Sequence, residues 1–99
     1  MKKDIFILQT CDEWKSHSSM SICMVTTNFN EMAIKIKELI KSGDMLYGAD
    51  NKEESVDCFY RDWNYFNKSG FKQRDTASKI NDLLEYGFIE IWEDGEINY

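Results

Sequence analysis

The segment Thr10-Cys11-Asp12-Glu13-Trp14-Lys15-Ser16-His17-Ser18-Ser19 gathers a thiol, an imidazole, an ammonium group, an indole and several hydroxyls into one polar stretch. Two kinds of chemistry are open to such a set. As a nucleophilic site, Cys11 or a serine would use His17 as base and Asp12 as orienter. As a binding site, Trp14 offers a stacking face and Lys15 a positive charge. Thr10, Ser16, His17, Ser18 and Ser19 add adaptable donors, and the whole set suits a small anionic or nucleotide-like ligand. Nothing nearby resembles a nucleophile elbow or another local catalytic signature, so binding is expected and catalysis is not. A large apolar ring in a polar connection gains little unless something covers it. A ligand is one cover for Trp14, and the end of a neighbouring sheet is the other. Arg61, Lys72 and Arg74 are further candidate anion contacts.

The rest of the inventory carries less chemistry. Cys11, Cys23 and Cys58 are odd in number and lack CxxC or His/Cys ligand spacing, so reduced thiols are expected, with neither a disulfide framework nor a metal. Glu90 and Trp92 share one strand face, while Glu93, Asp94 and Glu96 cluster at the last turn. Adjacent exposed carboxylates do not separate their pKa values as an acid/base pair must. The glycines are scattered and form no phosphate cradle, and no cofactor is implied.

Composition sets the frame for these side chains. The 99 residues suit one domain, 1–99, and 14% aromatic content supplies the large side chains that a short chain needs in its core. A net charge of −6 argues against a duplex nucleic-acid binder, which needs a basic face. Ile5–Leu8 is too short for a signal-peptide core, and no apolar run approaches the roughly 20 residues of a membrane span. A cytoplasmic protein without membrane contact is expected.

The elements that must position the polar segment follow from periodicity. Residues 4–11 read as a strand with apolar side chains at both parities, which suits the centre of a sheet or a strand covered on both faces. Residues 20–27 read as its hairpin partner, with Met20, Ile22 and Met24 on one face. Asn28 or Asn30 then caps a helix whose stripe is Ala33, Ile36 and Ile40, closed by Gly43 in a left-handed C′ position. A short extended piece is expected around Met45-Leu46-Tyr47. A second helix spans about residues 51–68, with Val56, Phe59, Tyr60, Trp63 and Phe66 at helical spacing. Tyr60, Tyr65 or Phe66 could stay partly exposed there, and a homo-oligomer would cover them. A third helix is expected over about residues 75–86, capped by Asp75 or Thr76 and stopped by Gly87. Phe88-Ile89-Glu90-Ile91-Trp92 is the last main strand, and Asp94-Gly95 can turn the chain into a short edge strand at 96–99. The order ββαααβ(β) predicts an α+β fold, an antiparallel β-sheet with about three helices packed on one face.

Three stretches carry a resemblance: Ile5 to Lys15, Met24-Val25-Thr26-Thr27 with the Ala/Ile/Lys helix that follows, and Tyr86 to Gly95. Together they resemble short α+β proteins encoded by bacteriophages and other mobile elements of low-GC bacteria. The resemblance covers both ends and the first helix but not residues 45–72. It implies an accessory role in the bacterial host cytoplasm, often against host defences or host enzymes, and it carries over no binding residue.

The leading expectation is therefore a non-enzymatic binding protein, a counter-defence protein that sequesters a nucleotide-like ligand through the Trp14–Ser19 connection. The alternative is an acidic inhibitor that mimics nucleic acid toward a host enzyme, using Asp50, Glu53, Glu54 and Asp57 with Glu90, Glu93, Asp94 and Glu96. A small enzyme using Cys11 and His17 stands third.

Overall fold

Strand β1 (Ile5–Thr10) is the middle strand of its sheet and carries apolar residues at both parities. It pairs antiparallel with β2 (Ser21–Thr26) on one side and with β5 (Gly87–Trp92) on the other. The computed structural model describes residues 4–12, 18 and 20–92. The expected hairpin at Asp94-Gly95 and the strand at 96–99 lie outside the described residues.

Residues directly opposite each other on antiparallel strands share a face, so the register sorts the side chains. Phe6 and Leu8 point inward with their β5 partners Ile91 and Ile89, and Phe6 and Leu8 are wholly buried. The β1–β2 register jumps: Leu8 pairs with Met24, but Gln9 pairs with Ile22. Cys23 is therefore the extra residue of a β-bulge. The bulge corrects the expectation that Ile22 and Met24 share a face. Met24 turns inward beside Leu8, and Ile22 turns outward beside Gln9.

The first helix, α1 (Phe29–Ser42), begins at Asn28, whose side chain accepts the Asn30 N–H at 2.9 Å. It ends at Gly43 with φ of 89°, a left-handed conformation that glycine adopts without a side-chain clash. Met32, Ala33, Ile36 and Ile40 form its buried stripe, at the three- and four-residue steps that keep one helix face turned to the core.

After α1 comes β3 (Leu46–Tyr47), a two-residue strand. The second helix, α2 (Lys52–Ser69), is capped by Asn51, which accepts the Glu54 N–H at 2.9 Å. It packs chiefly against α1 and β3. Two bonds lock β3 to it: the Tyr47 N–H donates to Ser55 Oγ at 2.9 Å, and the Tyr47 hydroxyl donates to Asp62 Oδ2 at 2.6 Å.

The third helix, α3 (Gln73–Leu83), starts two residues earlier and stops three earlier than its periodicity predicts. Its cap position is Lys72 rather than Asp75 or Thr76, and no side chain bonds there. Gln73 instead turns its Oε1 to α1, where it accepts the Phe29 N–H at 2.5 Å. Leu84 and Glu85 leave the helix as β4, which pairs antiparallel with β3. Gly87 is thus not a helix stop. The positive φ, 63°, falls on Tyr86, and Gly87 opens β5.

The sheet order β2-β1-β5 with α1 and α3 against its inner face makes an α+β fold, in the element order that the periodicity predicts. One edge bond is notable. The Ile89 N–H donates to Asn81 Oδ1 of α3 at 2.8 Å, so a helix side chain occupies a donor of β5 that no strand uses.

Candidate functional site: the outer face of the sheet

The same register places a second apolar set on the side away from the helices. Its rows are Ile22–Gln9–Phe88, then Val25–Ile7–Glu90, then Ile5 beside Trp92. An antiparallel sheet with one face on a core ordinarily turns polar residues outward. Here Ile22 is 66% exposed, Val25 58% and Trp92 52%. Ile5, Ile7 and Phe88 are half-buried beside them. The face measures roughly 10 Å between its outer strand axes and about 17 Å along them.

Among the described residues, one charged side chain stands in this field. Glu90 accepts the Trp92 indole N–H at Oε1 (2.9 Å) and the buried Gln9 amide at Oε2 (3.3 Å). Both partners are neutral donors. The carboxylate is held in one orientation by bonds to both oxygens, and neither bond brings a positive charge to it. A face of this kind can bury apolar surface and accept a hydrogen bond from a cation.

The residues singled out from the sequence are spread over the molecule. Thr10 closes β1, half-buried, opposite Ser21 and Gly87. Ser18 is exposed. Trp14, Lys15, Ser16, His17 and Ser19 lie outside the described residues. The connection that holds them leaves β1 after Thr10 and rejoins the sheet at Ser21, at the Gln9–Ile22–Phe88 end of the outer face. Cys11 is buried, and its N–H donates to the Tyr86 carbonyl at 3.0 Å.

The candidate cations sit elsewhere. Arg74 grips Asp4 with Nη2 at 3.1 Å and Nε at 3.4 Å, at the start of β1. Six strand steps separate Asp4 from Thr10, roughly 20 Å. Arg61 is on α2, where its Nε meets the neighbouring Asp62 at 3.4 Å. Lys72 precedes α3 and lines an open depression with Asp4, Asn28 and Glu31. The fold does not bring these three cations to Thr10.

A second exposed aromatic zone lies on the helical side. Tyr60 and Tyr65 on α2 are 38% and 60% exposed, with Phe66 half-buried, in line with the wide stripe read from the sequence. Phe71 stacks on Phe66 at 5.4 Å, and Lys37 Nζ lies 4.6 Å from the centre of the Tyr60 ring. The hydrogen bond with Lys37 lowers the Tyr60 phenol from its usual range.

The sequence pattern puts Glu90 and Trp92 on one face and apolar residues at both parities of β1, but the outer surface assembles only through the register of three strands. Ile22 was hidden by the bulge, which reverses its side relative to Met24. Among the described residues, no group of His, Cys, Asp and Glu could hold a metal, and no helix is long and apolar enough to cross a membrane. Comparison with protein-family models, curated proteins and solved structures returns no match.

Proposed function

We propose that this chain is a non-catalytic binding protein that docks another protein on the outer face of its sheet. The observation that carries the reading is the exposure of Ile22, Val25 and Trp92 on a face where Ile5, Ile7 and Phe88 are apolar too and Gln9 and Glu90 are the polar exceptions. A folded monomer gains nothing from three exposed large apolar residues on one sheet face, and such a patch marks an interaction surface. A largely apolar face with no cation among its described residues suits a protein better than a phosphate ligand. The resemblance to phage proteins would make the partner a host protein in the bacterial cytoplasm.

The small-ligand reading keeps one support: Thr10 and Ser21, the strand ends between which the Trp14–Ser19 connection runs in sequence, pair at the end of this same face. A phosphate held there would draw its positive charge from Lys15 or His17, since Arg61 and Arg74 are placed elsewhere. The acidic-mimic reading rests on Asp50, Glu53, Glu54 and Asp57, all exposed around the start of α2.

One set of measurements separates these readings. Capture of a host protein by the wild type, lost in the Ile22→Lys/Val25→Lys double variant, is expected for docking on the sheet. Capture that survives that variant and weakens steadily with salt belongs to the acidic mimic. A thermal shift with nucleotides that Trp14→Ala abolishes belongs to the ligand-binding connection, and without sheet-dependent capture it displaces the docking reading.

A further inference from the structure

We infer that the segment docked on this face is a basic amphipathic helix that sets one arginine or lysine against Glu90; the inference rests on the docking reading above. Glu90 occupies the same cross-strand row as Ile7 and Val25. Any apolar surface that covers Ile7 and Val25 must therefore also strip water from the Glu90 carboxylate. Its two hydrogen-bond partners, Gln9 and Trp92, are neutral, so they satisfy part of its acceptor capacity and none of its charge. A carboxylate desolvated in that state opposes binding unless the partner supplies a cation.

Arginine fits the geometry best. Its planar guanidinium can meet the carboxylate and lie over the exposed indole of Trp92, which already neighbours Glu90. The bonds from Gln9 and Trp92 hold the carboxylate in place beforehand, which lowers the ordering cost on binding. At longer range the net charge of −6 attracts a basic partner. The face is also the width of about one helix, whose diameter with side chains is roughly 10–12 Å. A second copy of this chain is the poorer occupant. Face-to-face packing would bring two Glu90 carboxylates into one apolar interface with no cation among the described residues of either face, and would join two chains of charge −6.

The test is selection of a displayed library of random peptides about 15 residues long, roughly four helical turns, on the full chain. Wild type is expected to enrich sequences with an apolar helical stripe interrupted by one Arg or Lys. Replacing that cation by Gln should weaken binding about tenfold or more. Glu90→Gln should lose the preference for the cation, and Glu90→Lys should turn it toward Asp or Glu. Both exchanges lie on a partly exposed face and leave the apolar core in place; Glu90→Gln keeps an acceptor for the buried Gln9 amide, and melts of both variants check that they fold. Enrichment of purely apolar stripes on wild type overturns the cation while docking stands. Peptides that still bind Ile22→Lys/Val25→Lys, or an empty selection, overturn docking itself. Sedimentation that gives a dimer dissolved by the same double variant overturns the helix in favour of a second copy.

Discussion

Trp92 and Glu90 stand two residues apart on the outward side of β5, with the indole N–H donating to Glu90 Oε1 at 2.9 Å. The contact couples an exposed ring to the sole charged side chain among the described residues of that face. Exposed hydrogen bonds of this kind contribute little to folding, because water replaces either partner. Trp92→Phe should therefore keep stability within about 1 kcal/mol of wild type. The wholly buried Ile36 makes the contrast, since Ile36→Ala should cost about 2–5 kcal/mol. Denaturant melts of the two variants decide between a surface and a core role for the indole. An equal loss would remove Trp92 from the docking surface.

Gly87 should tolerate no side chain. A β-carbon there would lie 2.7 Å from Met45 Cε and 3.0 Å from Leu84 Cδ2. The Met45 side chain is flexible in itself but wholly buried, so its end moves only by displacing neighbours. Gly87→Ala is expected to cost about 1–3 kcal/mol through overpacking. In a Met45→Ala background the added methyl enters vacated space, and the same exchange should cost at least ~0.5 kcal/mol less. Strict additivity in the melts would refute the contact.

Tyr47 makes alkaline pH a probe of the β3–α2 lock. Burial, then the bond to Asp62 and that carboxylate's charge, push its phenol far above the usual value near 10. Above about pH 10 the unfolded chain releases this proton and the folded chain retains it. The unfolded state then binds fewer protons, so stability falls as pH rises. The slope contributed by Tyr47 should vanish in Tyr47→Phe, at the cost of a hydrogen bond worth roughly 1 kcal/mol at neutral pH. Melts from pH 8 to 11 should converge for the two proteins, and parallel curves would contradict it.

Trp63 belongs to the core side of α2. Its ring centre lies 5.6 Å from that of Phe29, which in turn meets Phe6 at 5.5 Å, so the indole joins α2 to α1 and, through them, to the sheet. Because it is only partly buried, Trp63→Ala should cost about 2–4 kcal/mol, toward the lower end for buried aromatics. Trp14→Ala is expected within about 1 kcal/mol of wild type if Trp14 serves a ligand. Melts that give equal losses at the two positions would make Trp14 a packing residue.

The helix termini were legible in the sequence because their causes are local. Asn28, Asn51 and Gly43 act on backbone groups within a few residues, so residue type and spacing suffice to place them. The α+β class was legible for a similar reason, since strand and helix periodicities are properties of short windows, whereas the apolar parities of β1 suited either a central strand or one covered on both faces. Features that depend on distant residues were not. The α3 start carries no local side-chain cap to mark it, and the side chain of its first residue, Gln73, serves the Phe29 N–H 44 positions away. Gly87 reads as a helix stop by itself. Its small size answers to Met45, and Tyr86 carries the positive φ. At β2 the alternation of Met20, Ile22 and Met24 looked regular, yet one extra residue at Cys23 sends Ile22 to the other face. The sequence thus determined which segments are strands and helices and that β1 has two apolar sides. Only tertiary structure decided that the helices take one side and that Ile22, Val25 and Trp92 stand exposed on the other, because register and layer order arise from contacts between segments far apart in the chain.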